Sequence, residues 1–381
     1  MYRYSDIRQV HLEVTSRCNA SCPMCARNQH GGAVNPNLPM AELRLAQLQK
    51  LIPSDFTQQL TEVYLCGNYG DALVAHDTAD MLEYLRASNP GLALRLFTNG
   101  SGRNAAWWAR LAAAGVIVRF SIDGLADTNH RYRIGTQWDR IMAACEAFIG
   151  AGGEAEWDYL VFRHNEHQVE DALALARRMG FRKFYVKRTA RFFGDKLDVR
   201  DRRGQVVDVL WMPESNEFRN TEAEQQYQLR LTGEFQKQME TTPITCKAVE
   251  RRSIYISAEG LVLPCCWLAQ LYPPNRPWEQ DWRRRLKRMV LPFYTDTYTE
   301  ELWRLLQRVP SDQPAMGGKQ VVNGLCDQHR GTREIIEGPL FQQSIPASWQ
   351  ATSLKSGRLE ACARECGADS PTDAQYEESR I

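Results

Sequence analysis

The chain of 381 residues has no apolar run of the roughly 18 residues needed to cross a bilayer. Its opening residues, Met1 to Asp6, lack the apolar core of a secretory signal. An excess of charge of one sign is missing too. Lys and Arg number 47 against 46 Asp and Glu, leaving a net charge of +1. Nothing global therefore draws the chain to nucleic acid or to an anionic membrane. These absences read as a soluble, cytoplasmic protein with no membrane partner, and they disfavour a nucleic-acid one. No internal repeat is present beyond an alternation of strand and helix patterns. Cysteine, by contrast, is plentiful: there are 11. In a chain without a signal peptide, that number points to metal or redox chemistry more than to disulfides.

The length suits two domains, or one large domain with an appendage, and the 43% hydrophobic content supports a sizeable core. Strand patterns fall at Val10–Thr15, Glu62–Leu65, Leu94–Thr98, Val116–Ile122, Glu156–Phe162 and Lys183–Lys187. Between them lie amphipathic segments at Met40–Leu51, Thr78–Ser88, Asn104–Ala114, Trp138–Gly150 and Val169–Met179. Strands alternating with helices imply parallel pairing through right-handed crossovers. The fold class is α/β, a partial (β/α)6 TIM-like barrel, with functional groups expected at the C-terminal ends of the strands. After Lys196 the pattern changes. Residues 197–240 read as a charged linker with a helix near Glu222–Met239. A β-hairpin follows, with Ser253-Ile-Tyr-Ile-Ser257, a turn at Glu259-Gly260, and Leu261-Val-Leu. The basic run Arg283–Arg288 reads as a solvated helix face, with a patch for an acidic substrate or partner as the alternative. Residues 368–381 read as a disordered tail.

The most informative motif directly follows the first strand: Cys18-Asn-Ala-Ser-Cys22-Pro-Met-Cys25. A 4Fe–4S cluster held wholly by protein takes four thiolates, so three leave one iron open to a small molecule. A structural zinc site would show a second, separated pair. A disulfide framework suits small secreted chains. The C-x3-C-x2-C spacing resembles the signature of the radical S-adenosylmethionine (SAM) superfamily. The resemblance implies a cluster on Cys18, Cys22 and Cys25 whose open iron is chelated by the amino and carboxylate groups of SAM.

Further segments fall where that superfamily places its SAM contacts. Cys66-Gly-Asn-Tyr-Gly70-Asp71 is similar to the Gly-Gly-Glu-Pro motif, which implies that Gly70 and Asp71 meet the SAM amino group; here Asp71 stands for Glu and Ala72 for Pro. Thr98-Asn99-Gly100 resembles the Thr-Asn-Gly segment near the ribose or methionine portion, pointing to Asn99. Ser121-Ile-Asp123-Gly124 and Asn129-His-Arg-Tyr-Arg133 resemble the pattern by which Ser121 and Arg133 would hold the SAM carboxylate. A guanidinium fork suits a carboxylate. Arg131 is a competing candidate, and Asp123 could instead fix the turn.

A second constellation lies near the C-terminus. Cys246 is followed by 13 residues, Gly260, four residues and Cys265, similar to the opening of the SPASM and twitch auxiliary-cluster domains. Cys362-Ala-Arg-Glu-Cys366 resembles their closing pair. The resemblance implies an auxiliary 4Fe–4S cluster on Cys246, Cys265, Cys362 and Cys366, within a domain over 241–367 that follows a radical SAM barrel over 1–196. Cys266 and Cys326 are alternative ligands, and a zinc ribbon on the same thiolates is the rival reading. Cys66 and Cys145 read as small buried hydrophobes.

The resemblance implies reductive cleavage of SAM to a 5′-deoxyadenosyl radical, which abstracts a hydrogen atom from the substrate. An electron donor such as flavodoxin or ferredoxin is implied. The foremost substrate reading is a ribosomally made peptide or protein that is oxidised, cross-linked or epimerised. The alternative is oxidation or rearrangement of a small metabolite such as a sugar or amino-acid derivative; an electron carrier or scaffold is a third. The strand pattern starts near residue 8, so a leader-binding function is expected from a separate protein.

Overall fold

In the computed structural model, the described residues are 3–36, 38–192, 194–232, 247–263, 266 and 379–380. Six strands alternate with helices along the chain: β1 (Gln9–Leu12), β2 (Glu62–Leu65), β3 (Ala93–Thr98), β4 (Val116–Ser121), β5 (Glu154–Leu160) and β6 (Lys183–Lys187). The main intervening helices are α1 (Leu45–Leu51), α2 (Ser54–Gln59), α3 (Thr78–Ser88), α4 (Ala105–Ala113), α5 (Asn129–Tyr132), α6 (Trp138–Gly150) and α7 (Val169–Met179). The six strands pair in parallel and in sequence order, the arrangement that successive βαβ crossovers produce.

Local chemistry sets the helix ends. Asn104 caps α4, its side chain accepting from Trp107 N at 3.0 Å. Helix α7 carries Glu170 and Asp171 in its first turn and Arg177 and Arg178 in its last, complementing the helix dipole. It stops at Gly180, whose φ of +87° closes the C-terminus.

Strand residues divide between two faces with period two. Val10, Leu12, Val63, Leu65, Leu94, Leu96, Val118, Phe120, Trp157 and Ile254 belong to the apolar core shared with the helices. The opposite register positions mix polar residues, His11 and Tyr64, Arg95, Arg119, Glu156 and Asp158, then Tyr185 and Lys187, with Phe97, Ile117 and Leu160. On this face Arg119 meets Glu156 at 2.7 Å, and Lys187 meets Asp158 at 2.9 Å. The guanidinium of Arg119 also lies 4.0 Å from the Tyr185 ring centroid. One face thus builds the core and the other offers charged groups toward the strand ends.

Two features depart from the sequence reading. The expected linker over 197–240 contains an antiparallel hairpin, β7 (Lys196–Arg200) with β8 (Val206–Trp211), before helix α8 (Thr221–Thr232). Val199 and Leu210 of this hairpin are buried against the cysteine loop, which gives it an apolar anchor. The expected hairpin of the second domain also exists, as β9 (Ser253–Ile256) and β10 (Val262–Leu263), but it extends the barrel sheet. Strand β9 pairs in parallel with β1, matching Tyr255 to His11. Gly260 takes φ +81° in its turn. Among the described residues, no helix is long and apolar enough to cross a membrane.

Candidate functional site

The chain leaves β1 through Glu13, Val14 and Thr15 and enters the cysteine loop. Buried Arg27 braces the loop's base, its Nε donating to Ser16 O at 3.2 Å. Cys25 N donates to Cys22 O at 3.0 Å, and Ala20 N to Cys18 Sγ at 3.3 Å. Cys18, Cys22 and Cys25 share one apolar pocket with Ala20, Tyr132, Phe162, Val199 and Leu210. Burial pushes the Cys22 thiol up to about 11, against the pull of the Arg133 charge. Cys18 is raised further by burial, by the Asp71 charge and by the two neighbouring cysteines.

This donor set fits an iron–sulfur cluster. Three soft donors in an apolar wall suit iron–sulfur ligation, and each would serve a different iron. Among the described residues, no three His, Cys, Asp or Glu side chains are grouped to hold a single metal ion. Cys145 is distant from the loop, buried in the helix-side core as expected. Cys66 sits at the end of β2, and burial pushes its thiol up to about 12.

The loops after β2, β3 and β4 converge on the cysteines. After β2, Gly70 passes the cysteine loop so closely that an added Cβ would lie 1.7 Å from Thr15 O. Asp71 is buried, and its two oxygens accept four hydrogen bonds. Oδ1 accepts from Leu73 N at 2.9 Å and Thr98 Oγ1 at 2.8 Å; Oδ2 accepts from Asn99 N and Asn99 Nδ2, both at 2.8 Å. Burial pushes the Asp71 carboxyl up, while these donors and the Arg133 charge pull it down. Asn99 in turn donates to Asn19 Oδ1 at 2.8 Å and reaches Cys18 Sγ at 3.9 Å.

The two arginines after β4 have different partners. Arg131 is taken up by Asp208 of β8, with Nη2 to Oδ1 at 2.8 Å and Nε to Oδ2 at 3.0 Å. Arg133 faces the cysteines, with Nε on Asp123 Oδ2 at 2.5 Å and Nη1 3.7 Å from Cys22 Sγ. Asp123 also receives Leu160 N at 2.7 Å, which ties β5 to the same point. Ser121 is the last residue of β4, half-buried and opposite Asp158 in register. Gly70, Asp71, Asn99 and Arg133 thus gather around Cys18 and Cys22, with Ser121 on the adjoining polar face. Cys246, Cys265, Cys326, Cys362 and Cys366 lie outside the described residues, whereas Cys266 is buried and its carbonyl accepts from Asn68 Nδ2 at 3.0 Å.

Sequence reasoning missed Glu13. This buried carboxylate accepts Tyr69 N at 2.8 Å and Gly70 N at 3.0 Å on Oε1, and the Tyr255 hydroxyl on Oε2. Its parity with Gln9 and His11 was the available signal. Arg191 was also missed; its Nη1 donates to Met24 O at 3.0 Å inside the cysteine loop.

Comparison with known proteins adds three findings. Residues 12–176 match the family model described as the Radical SAM superfamily. Mycofactocin maturase MftC of Mycobacterium ulcerans (strain Agy99) is 31% identical over 171 residues, covering 44% of this chain and 44% of that protein. The match thus spans under half the length of that relative. Among solved structures, Streptococcus suis SuiB bound to precursor peptide SuiA aligns with TM-score 0.48 at 12% identity, over 87% of this chain and 76% of that one. Native anSMEcpe with bound AdoMet aligns with TM-score 0.44 at 15% identity, over 68% of this chain and 74% of that one.

Proposed function

We propose, from the match of residues 12–176 to the Radical SAM superfamily model, that the chain is an enzyme that cleaves SAM reductively and abstracts a hydrogen atom from a peptide or protein. The family implies a 4Fe–4S cluster and SAM. When bound, they supply one-electron cleavage of the sulfur–C5′ bond, giving methionine and a 5′-deoxyadenosyl radical.

The observation that carries this reading is the convergence of three cysteine thiols, Asn99 and Arg133 after strands β1, β3 and β4. In this reading Cys18, Cys22 and Cys25 hold the cluster. The fork of Arg133 is held by Asp123 through Nε, and Arg133 together with Ser121 takes the SAM carboxylate. The loop 67–70 receives the SAM ammonium. Asp71, with its acceptor sites engaged, holds that loop against Asn99 instead of touching SAM. The apolar wall around the cysteines and the helix-backed sheet keep water from the reacting centre. The polar face carrying Arg119, Asp158 and Lys187 orients the substrate.

Similarity to a protein named as a maturase supports a peptide or protein substrate over a small metabolite. The auxiliary cluster on Cys246, Cys265, Cys362 and Cys366 and the electron donor belong to the same proposal. The hairpin β9–β10, which leads to Cys265, supports the auxiliary site by bringing that segment beside β1.

The test is 5′-deoxyadenosine formation by anaerobically reconstituted protein given SAM and a strong reductant, with a candidate peptide encoded nearby or with a small-metabolite extract. A rise only with the peptide, with a mass change on it, supports peptide modification. A rise only with the extract moves the assignment to a metabolite.

A further inference from the structure

We infer that Glu13 and Tyr255 form a clamp that shapes the SAM-facing loop 67–70 from beneath, making the hairpin β9–β10 a working part of the SAM site. This deepens the proposed function and rests on its placement of SAM.

Glu13 sits just past β1, buried between the loop after β2 and strand β9. One oxygen takes two consecutive backbone N–H groups of the loop, from Tyr69 at 2.8 Å and Gly70 at 3.0 Å. In a planar trans peptide the carbonyl points opposite to the N–H. The peptides that aim the Tyr69 and Gly70 amides at Glu13 therefore turn the Asn68 and Tyr69 carbonyls away from it. Outward carbonyls are what an ammonium group requires. They matter here because Asp71, the acid expected to meet that ammonium, already accepts from Leu73, Thr98 and Asn99.

The other oxygen of Glu13 accepts the Tyr255 hydroxyl. Tyr255 lies beside His11 in register, with their rings edge to face at 4.9 Å. A buried carboxylate without donors is costly, so the loop amides and the hydroxyl hold one another in place through it. A second tie runs from Asn68 Nδ2 to Cys266 O at 3.0 Å. The loop is thus fastened twice, to Tyr255 through Glu13 and to Cys266 directly. Docking of that hairpin sets the shape in which the loop meets SAM, and Glu13 and Tyr255 act as positioning residues.

The experiment measures the SAM dissociation constant of the reconstituted full chain by anaerobic equilibrium dialysis. Iron per chain and melting temperature are recorded alongside. The variants are Tyr255→Phe, Glu13→Gln and their double, with Phe56→Leu as a core substitution packed against Tyr4, away from the site. The clamp predicts that each single variant weakens SAM binding about tenfold or more with iron content unchanged, the loss expected for one hydrogen bond to a charged group. It also predicts that the loss in the double variant is smaller than the sum of the two single losses, because the Tyr255 hydroxyl acts through Glu13. Phe56→Leu should lower the melting temperature and leave SAM binding intact. Wild-type affinity in both single variants overturns the clamp while leaving the proposed function standing. Equal weakening by Phe56→Leu also overturns it, by reducing the effect to stability. Failure of the wild-type protein to bind SAM overturns the proposed function and the clamp together.

Discussion

Replacing Asp71 by Asn separates a holder of the site from a ligand of SAM. The carboxylate accepts Leu73 N and Thr98 Oγ1 on one oxygen and both Asn99 donors on the other. In Asp71→Asn the least damaging amide orientation puts the NH2 toward Leu73 and Thr98. The Thr98 hydroxyl can reverse and accept, but Leu73 N–H is left unpaired in a buried site. A buried orphan donor costs about 1–3 kcal/mol, and the two bonds retained by Asn99 fall from charged to neutral strength. The sum is about 3 kcal/mol, a large share of the stability of a typical domain. Asp71→Ala removes every acceptor at once and should cost more. The assay is urea unfolding of wild type and both variants, with SAM affinity measured in parallel. The order expected is wild type, Asn, then Ala in falling stability. Wild-type stability in Asp71→Asn combined with lost SAM binding would refute the reasoning and restore Asp71 as a direct ligand.

Three other substitutions test neighbouring parts of the account. Gly70→Ala would force a Cβ to within 1.7 Å of a backbone oxygen, so the loop must move; SAM binding should be lost and the melting temperature lowered, as dialysis and thermal unfolding would show. Arg133→Lys keeps the charge but not the fork that reaches Asp123 and the Cys22 side at once; iron should still load, and SAM affinity should fall about tenfold. His11 is held neutral by burial, its pKa lowered to about 4. Its contribution is complete above the ordinary value of 6.5 and is lost as pH falls through 4. Between pH 7 and pH 5 the stability advantage of wild type over His11→Gln should therefore shrink by about 2 kcal/mol in urea unfolding.

Much of the barrel was legible because its periodicities are strong. β2, β6, α3, α6 and α7 lie where the sequence placed them, since each is an apolar pattern closed by a capping or turn residue such as Gly180. The hairpin β7–β8 was not legible. Its strands carry Asp198, Arg200 and Asp208 and expose Val206 and Val207, which hides the alternation. Its one signal was the turn at Gly204, φ +81°. The cysteine triplet stood out by its spacing, and the structure brings its three side chains into one cluster. The partners of Arg131 and Arg133 were not readable, because Asp208, which pairs with Arg131, lies in the unread hairpin. Glu13 escaped notice because a charged residue continuing a strand reads as solvent-facing, whereas the loop after β2 and strand β9 cover it from two sides. Asp71 stood out in the sequence, but its hydrogen bonds did not, because they depend on Thr98 and Asn99 at the end of the next strand.

The central claim is that Cys18, Cys22 and Cys25 create a site for reductive SAM cleavage. The most direct measurement is 5′-deoxyadenosine release from SAM by wild type and by Cys22→Ala, each reconstituted anaerobically and given a strong reductant. The account predicts release by wild type and none by Cys22→Ala. Release at an equal rate from Cys22→Ala would contradict it.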